Sequence, residues 1–126
     1  MNKEEIGSIL EKQRNFLASG TTLDIDYRIG ILKKLRSLIL SYEEELIEAL
    51  RRDFHKPRFE VLGTESRFVI AELNLMIRNV RRWSRKKRVR TSIANFPAGS
   101  YVMPQPYGQV LILSPWNYPF HLAMMP

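Results

Sequence analysis

The last twenty residues, Tyr107–Pro126, read YGQVLILSPWNYPFHLAMMP. Val110-Leu111-Ile112-Leu113 is apolar at four consecutive positions. A strand apolar on both faces is one buried on both faces, as in a parallel sheet covered by helices. A turn at Pro106-Tyr107-Gly108 leads into it. Beyond it, Pro115 and Pro119 clash with a helical residue in front of them, so Ser114 and Tyr118 are expected to be extended. Pro119 can also open a helix at its first turn. The expected local order is a buried strand, a stiff connection displaying Trp116-Asn117-Tyr118, and the start of a helix. A lone strand cannot satisfy its own backbone groups, and the chain has no second segment of this kind to pair with it.

Open parallel sheets bind ligands at the carboxyl ends of their strands, which is where Asn117 falls. Its side-chain amide is a neutral donor that can point at a developing oxyanion. It can equally bond its own turn, as asparagine often does. Trp116 reads either as a contact surface or as a core aromatic at a strand end.

Upstream, the grammar is helical. Ile6, Ile9, Leu10, Phe16 and Leu17 fall near a 3.6-residue period, with Gly20 as a stop. A second helix, capped by Asp24 or Asp26, carries Leu32, Leu35, Ile39, Tyr42, Leu46 and Leu50 in one unbroken stripe. Ser41 and Glu44 have capping-box spacing, but the stripe argues for a helix that runs through. After Pro57 a third helix is expected from about Phe59 or Glu60, with Leu62, Val69, Leu73, Met76, Val80 and Trp83 on one face. These helices are expected to pack on their apolar faces. Tyr101-Val102-Met103, stopped by Pro104 and Pro106, reads as an edge strand.

Charge divides the chain into zones. Residues 78–90, RNVRRWSRKKRVR, hold eight of the twenty basic residues and no acid, and no charged side chain follows Arg90. The 126 residues are 44% hydrophobic and 26% charged, with a net charge of +7, a globular rather than disordered composition. No run of about 18 apolar residues is present to span a membrane, and the N-terminus lacks the apolar core of a secretory signal. Cysteine is absent. That removes disulfides, zinc–thiolate sites and any thiol nucleophile within these residues, and makes the cytoplasm the expected compartment.

GQVLILSPWNYPF, Gly108–Phe120, resembles the segment of the aldehyde dehydrogenase superfamily in which a strand leads into a P-W-N-[FY]-P turn. The Tyr-Pro-Phe ending is similar to the branch containing the class 3 and fatty aldehyde dehydrogenases. YRIGILKKLRSLI (27–39), ALRRDFHKP (49–57) and the basic, Trp-containing helix end follow in that family's N-terminal order, so the resemblance covers nearly the whole chain. It implies an α/β fold: an N-terminal helical segment, residues 1–90, then the first strands of a Rossmann-like cofactor domain, residues 91–126, incomplete in this chain.

The resemblance further implies that Asn117 helps form the oxyanion hole for the thiohemiacetal made when a cysteine thiolate attacks an aldehyde. Leu113, Ser114, Pro115 and Trp116 would lie along the nicotinamide side of NAD or NADP, and Tyr118 near the substrate channel. An aldehyde substrate and a homodimer or homo-oligomer are the implied partners. The nucleophile, the glutamate base and the glycine turn near the cofactor phosphates are expected to lie outside these residues: cysteine is absent, no acidic residue follows Glu72, and Pro126 comes before any such turn. The expectation is an N-terminal piece that is inactive alone and exposes its uncharged tail.

Two other classes compete. The run Arg81–Arg90 with Trp83 can bind nucleic acid as a small basic helical module, or be a solvated helix end whose cations favour the helix C-terminus; the second is preferred, with no nucleic-acid partner expected. The amphipathic helices can also serve as a protein-interaction module, although their stripes read first as this chain's own core. His55 and His121 have no second ligand at metal spacing and read as structural.

Overall fold

The computed structural model describes residues 2–126. Helix α1 spans Lys3–Ala18 and opens on a capping box in which the Asn2 and Glu5 side chains each accept the other's backbone N–H. Gly20, at φ 74°, takes the left-handed conformation that ends the segment. The carboxylate of Asp24, not Asp26, caps α2 (Ile25–Ser41), accepting from the amides of Asp26 and Tyr27.

The expected continuous second helix is interrupted. Tyr42 (φ −101°, ψ 13°) leaves helical geometry, and α3 follows at Glu43–Phe54. The backbone ladder nevertheless crosses the break, with Tyr42 N–H on the Leu38 carbonyl and Leu46 N–H on that of Tyr42. The Ser41 hydroxyl donates back to Leu38 rather than capping α3. The kink turns Tyr42 outward, 56% exposed, while Ile39, Ile47 and Leu50 stay buried. An inward Glu43 explains the change of face. Its carboxylate accepts from Ser66 Oγ at 2.8 Å and Arg67 Nη2 at 2.6 Å, partners that an unbroken stripe would not have met.

His55, at φ 55°, closes α3, with its N–H on the Arg51 carbonyl, the 5→1 bond of an αL ending, and the Lys56 N–H reaching back to the Leu50 carbonyl. After Pro57 the chain is helical without a gap: α4 (Arg58–Val61), a π-helical turn (Leu62–Ser66) and α5 (Arg67–Trp83). The π turn inserts one extra residue into the helical frame. Val61, Glu65, Ser66 and Val69 are all buried along this stretch.

Helices α2 and α5 form the expected hairpin. One cluster joins Ile39, Val69 and Leu73 to Leu32, Leu35, Ile70, Phe120 and Met124; a second joins Ile47, Leu50 and Val61 to Leu46 and Leu62. The first cluster includes the end of the tail, because α6 (Pro119–Met124) docks on the π turn and α5. Helix α1 does not join either cluster. None of its residues is buried, and Ile6, Ile9, Leu10 and Phe16 remain exposed, against the expectation of a packed N-terminal helix.

The basic run is not one helix end. Arg81 and Arg82 occupy the last turn of α5, where Arg81 pairs with Asp26, but Lys87–Val89 forms strand β1. It pairs antiparallel with β2 (Ser100–Val102), one residue upstream of the expected strand, with Arg88 opposite Tyr101. Lys86 lies 3.9 Å above the Tyr101 ring. Val110–Leu113 forms no strand. Val110, Leu111 and Leu113 are 68%, 82% and 85% exposed, because a parallel strand needs neighbours on which to place its backbone groups and these residues have none. The chain exposes 10149 Å², where a compact monomer of this size exposes about 7,000 Å².

Leu73→Ala should cost about 2–5 kcal/mol in urea unfolding, and Tyr42→Ala close to nothing; equal costs would contradict the kink. At the surface, Arg58 hydrogen-bonds Glu44 and holds its carboxyl below the usual carboxylate range, as Arg51 does for Glu48. Depressed carboxylate pKa values stabilise the fold above the unfolded value and lose that contribution as pH falls through the folded one. Glu44→Gln should therefore flatten the fall in melting temperature below about pH 4. The pair is largely exposed, so the difference should be small and should vanish in about 1 M salt.

Candidate active site at the Trp-Asn-Tyr turn

The tail reaches its site through Tyr118, which sits at φ 65°, ψ 56° and provides the N-cap residue of α6. The sequence expectation for this residue was extended. Proline at 119 removes the right-handed helical region for its predecessor, and the backbone takes the left-handed region instead, reversing the chain so that α6 returns onto the body. A bulky residue there carries strain of about 1–3 kcal/mol and persists only where its surroundings hold it.

Three contacts hold it. Lys56 Nζ lies 4.3 Å from the Tyr118 ring centroid, within cation–π range. The same ammonium bonds Glu65 Oε1 at 2.5 Å, and Glu65 Oε2 accepts the His121 backbone N–H at 2.9 Å. Glu65 has no exposed surface, and the Lys56 side chain is 12% exposed. Tyr118 offers no side-chain cap, so the Glu65 carboxylate satisfies an amide of the first turn of α6 from across the fold. The His121 ring lies against Phe68 with centroids 4.8 Å apart, and Phe120 and Met124 enter the core.

Tyr118 divides two grooves. On one side Asn117 and Tyr118 face Phe54, His55, Lys56 and Glu60 across a groove of about 460 Å³. On the other, Tyr118 joins Gly63, Thr64, Phe68, His121 and Leu122 around a groove of about 250 Å³. Among the described residues the Asn117 side chain makes no hydrogen bond, so its amide is not consumed by its own turn. Leu113 and Trp116 are 85% and 83% exposed, and Ser114 and Pro115 are exposed beside them. The structure thus brings Asn117 and Tyr118 to one place and leaves Leu113–Trp116 as an uncovered strip leading to it.

A matching family model covers residues 1–126 and is that of the aldehyde dehydrogenase family. The chain belongs to the aldehyde dehydrogenase family. The 4,4'-diaponeurosporen-aldehyde dehydrogenase of Staphylococcus aureus is 38% identical over 111 residues, 88% of this chain and 24% of that protein. Aldehyde dehydrogenase family 3 member B1 of Bos taurus is 36% identical over 117 residues, 93% of this chain and 25% of its own. A solved structure of the substrate-bound state of Staphylococcus aureus AldH superposes with a TM-score of 0.92 at 35% identity, over 98% of this chain and 27% of that one. The chain therefore spans about a quarter of the length of the relatives it matches. The α/β reading stands as a helix-rich body with two strands that matches part of an aldehyde dehydrogenase fold, with class 3 members among the relatives. Among the described residues no helix is long and apolar enough to cross a membrane.

Sequence reasoning missed Lys56, Glu65, Phe68 and the backbone of His121. The available signal was Gly63-Thr64, two poor helix formers inside a helical stretch. Thr64 Oγ1 donates to the Glu60 carbonyl, a bond of the kind that bends helices, and the π turn is there. In a Trp83→Phe version of this chain Trp116 is the only tryptophan, and its fluorescence should be solvent-like and freely quenched by acrylamide. A blue-shifted, protected signal would show that the strip is covered.

Proposed function

We propose that this segment supplies the oxyanion donor of an aldehyde dehydrogenase that oxidises aldehydes to carboxylic acids. The observation that carries the proposal is an unbonded Asn117 amide lining one groove, beside the strained Tyr118 that separates this groove from a second. As a nucleophile adds to the aldehyde carbon, the carbonyl π electrons move onto oxygen, and a fixed N–H donor stabilises that charge. The nucleophile in this reading is a cysteine thiolate, which must come from outside these residues, because they contain no cysteine. Addition to the thiolate gives a thiohemiacetal, its oxidation a thioester, and hydrolysis the acid.

NAD or NADP, when bound, supplies the acceptor for the hydride that leaves the carbonyl carbon. We assign the nicotinamide side of the cofactor to the exposed strip Leu113-Ser114-Pro115-Trp116, which is free to be covered by a ring. Phosphate recognition has no candidate here, so the rest of the cofactor site lies elsewhere. We place residues 91–126 at the start of the cofactor-binding unit and 1–90 as the helical segment that carries it. The smaller groove, lined by Tyr118, Phe68 and Leu122, takes the hydrocarbon part of the aldehyde. The uncovered stripe on α1 supports a homodimer or larger homo-oligomer as the assembled state.

In the natural gene product, Asn117→Ala should lower kcat about 100- to 1,000-fold, with little change in the KM for the aldehyde. An unchanged kcat would remove Asn117 from the chemistry. The isolated 126-residue chain should oxidise no aldehyde with either dinucleotide; turnover would overturn the need for an external nucleophile.

A further inference from the structure

We infer that Lys56 and Glu65 are positioning residues for Asn117, acting through Tyr118 and the first turn of α6. This role presupposes Asn117 as the oxyanion donor. Asn117 has no bond of its own to fix it and follows an exposed strip of coil. Its placement therefore comes from the residue after it. Tyr118 is held at a left-handed backbone conformation that a free chain with this side chain seldom adopts.

What holds Tyr118 is one ion pair used twice over. Lys56, just past the left-handed His55 that ends α3, puts its ammonium on the Tyr118 ring. Glu65, buried within the π segment, takes that ammonium on one oxygen and the His121 N–H on the other. The carboxylate thereby ties the body to α6 three residues beyond Tyr118, while its lysine partner clamps Tyr118 itself. Four pieces of chain meet here: the end of α3, the π turn, the Asn117 turn and α6. A buried carboxylate with a single partner would have stabilised the body alone; its second oxygen reaches the element that carries the donor.

The double variant Lys56→Met/Glu65→Gln removes both charges together. It leaves an amide oxygen for the His121 N–H and avoids stranding one buried charge. In the natural gene product it should melt as a folded protein with kcat reduced about 10- to 100-fold, the range for a misplaced reacting group, and KM for the dinucleotide within about threefold. Combined with Asn117→Ala, the loss should be little more than for Asn117→Ala alone, because residues acting through one group are not additive. If Asn117→Ala is slow and the double variant is as fast as the parent, Asn117 keeps its role and the positioning role falls. Losses that multiply in the triple variant overturn it as well, since Lys56 and Glu65 would then act by another route. An Asn117→Ala enzyme at full speed overturns the oxyanion donor itself.

A second measurement needs no turnover. In Glu65→Ala the His121 amide hydrogen should exchange at least about tenfold faster, relative to amides in the middle of α5, than in the parent. Unchanged relative protection would overturn Glu65 as the anchor of α6.

Discussion

Glu65 sits with none of its surface in water, and a carboxylate in that position costs several kcal/mol unless its oxygens are bonded. Both are bonded, one to Lys56 and one to the His121 amide. The choice of partners sets the rest. Lys56 can reach only if α3 ends at His55 and Pro57 turns the chain back. Glu65 meets its partners from within the π turn, beside Ser66. His121 can offer its N–H only if Tyr118 reverses the chain through positive φ. Each of these local departures from regular helix is unfavourable alone, and they meet at one ion pair.

Glu43, at the start of α3, repeats the pattern, taking Ser66 on one oxygen and Arg67 on the other. Glu65 lies within the π turn and Glu43 reaches its last residue from α3, so the two interruptions in the helical body, at Tyr42 and at Leu62–Ser66, fall beside bonded carboxylates. Apolar packing from Ile39, Val61, Val69 and Leu73 supplies the bulk of the burial. The carboxylates decide where along the helices that packing is interrupted. A body held by apolar contacts alone could slide by a turn at modest cost; one threaded by two bonded carboxylates cannot.

Much of this was legible in the residues. Periodicity placed α1, α2 and α5, Asp24 and Gly20 marked boundaries, and the P-W-N-Y-P element named the family before the fold was known. The kink at Tyr42 is marked in the sequence only by the Ser41–Glu44 spacing, which the apolar stripe running through it outweighs, and the partners that Glu43 turns to, Ser66 and Arg67, lie more than twenty residues away. The pair Lys56–Glu65 was hidden for the same reason: its spacing of nine crosses Pro57 and fits neither helical nor strand periodicity. Strand β1 was concealed inside a basic run whose composition speaks only of charge. Val110–Leu113 is the opposite case. Its pattern states what it needs, two buried faces and strand neighbours, and these residues do not supply them, so the pattern describes a requirement rather than a conformation.

The two halves of the tail then differ in kind. Residues 119–126 are anchored by Glu65 and by Phe120 and Met124 in the core, whereas Leu111, Leu113 and Trp116 remain in solvent. Asn117 lies at the boundary. A donor meant for an oxyanion must be fixed before charge develops, since reorganising during the reaction would forfeit the stabilisation. Fixing it from the exposed side requires the strand to be paired; fixing it from the anchored side requires only what is already present. The clamp on Tyr118 therefore gives the donor one rigid reference point independent of the strand, and pairing of Val110–Leu113 would supply the second. An asparagine suits that position better than a lysine, because a neutral amide can wait unbonded in the groove it shares with Lys56 without the like-charge repulsion an ammonium would meet there.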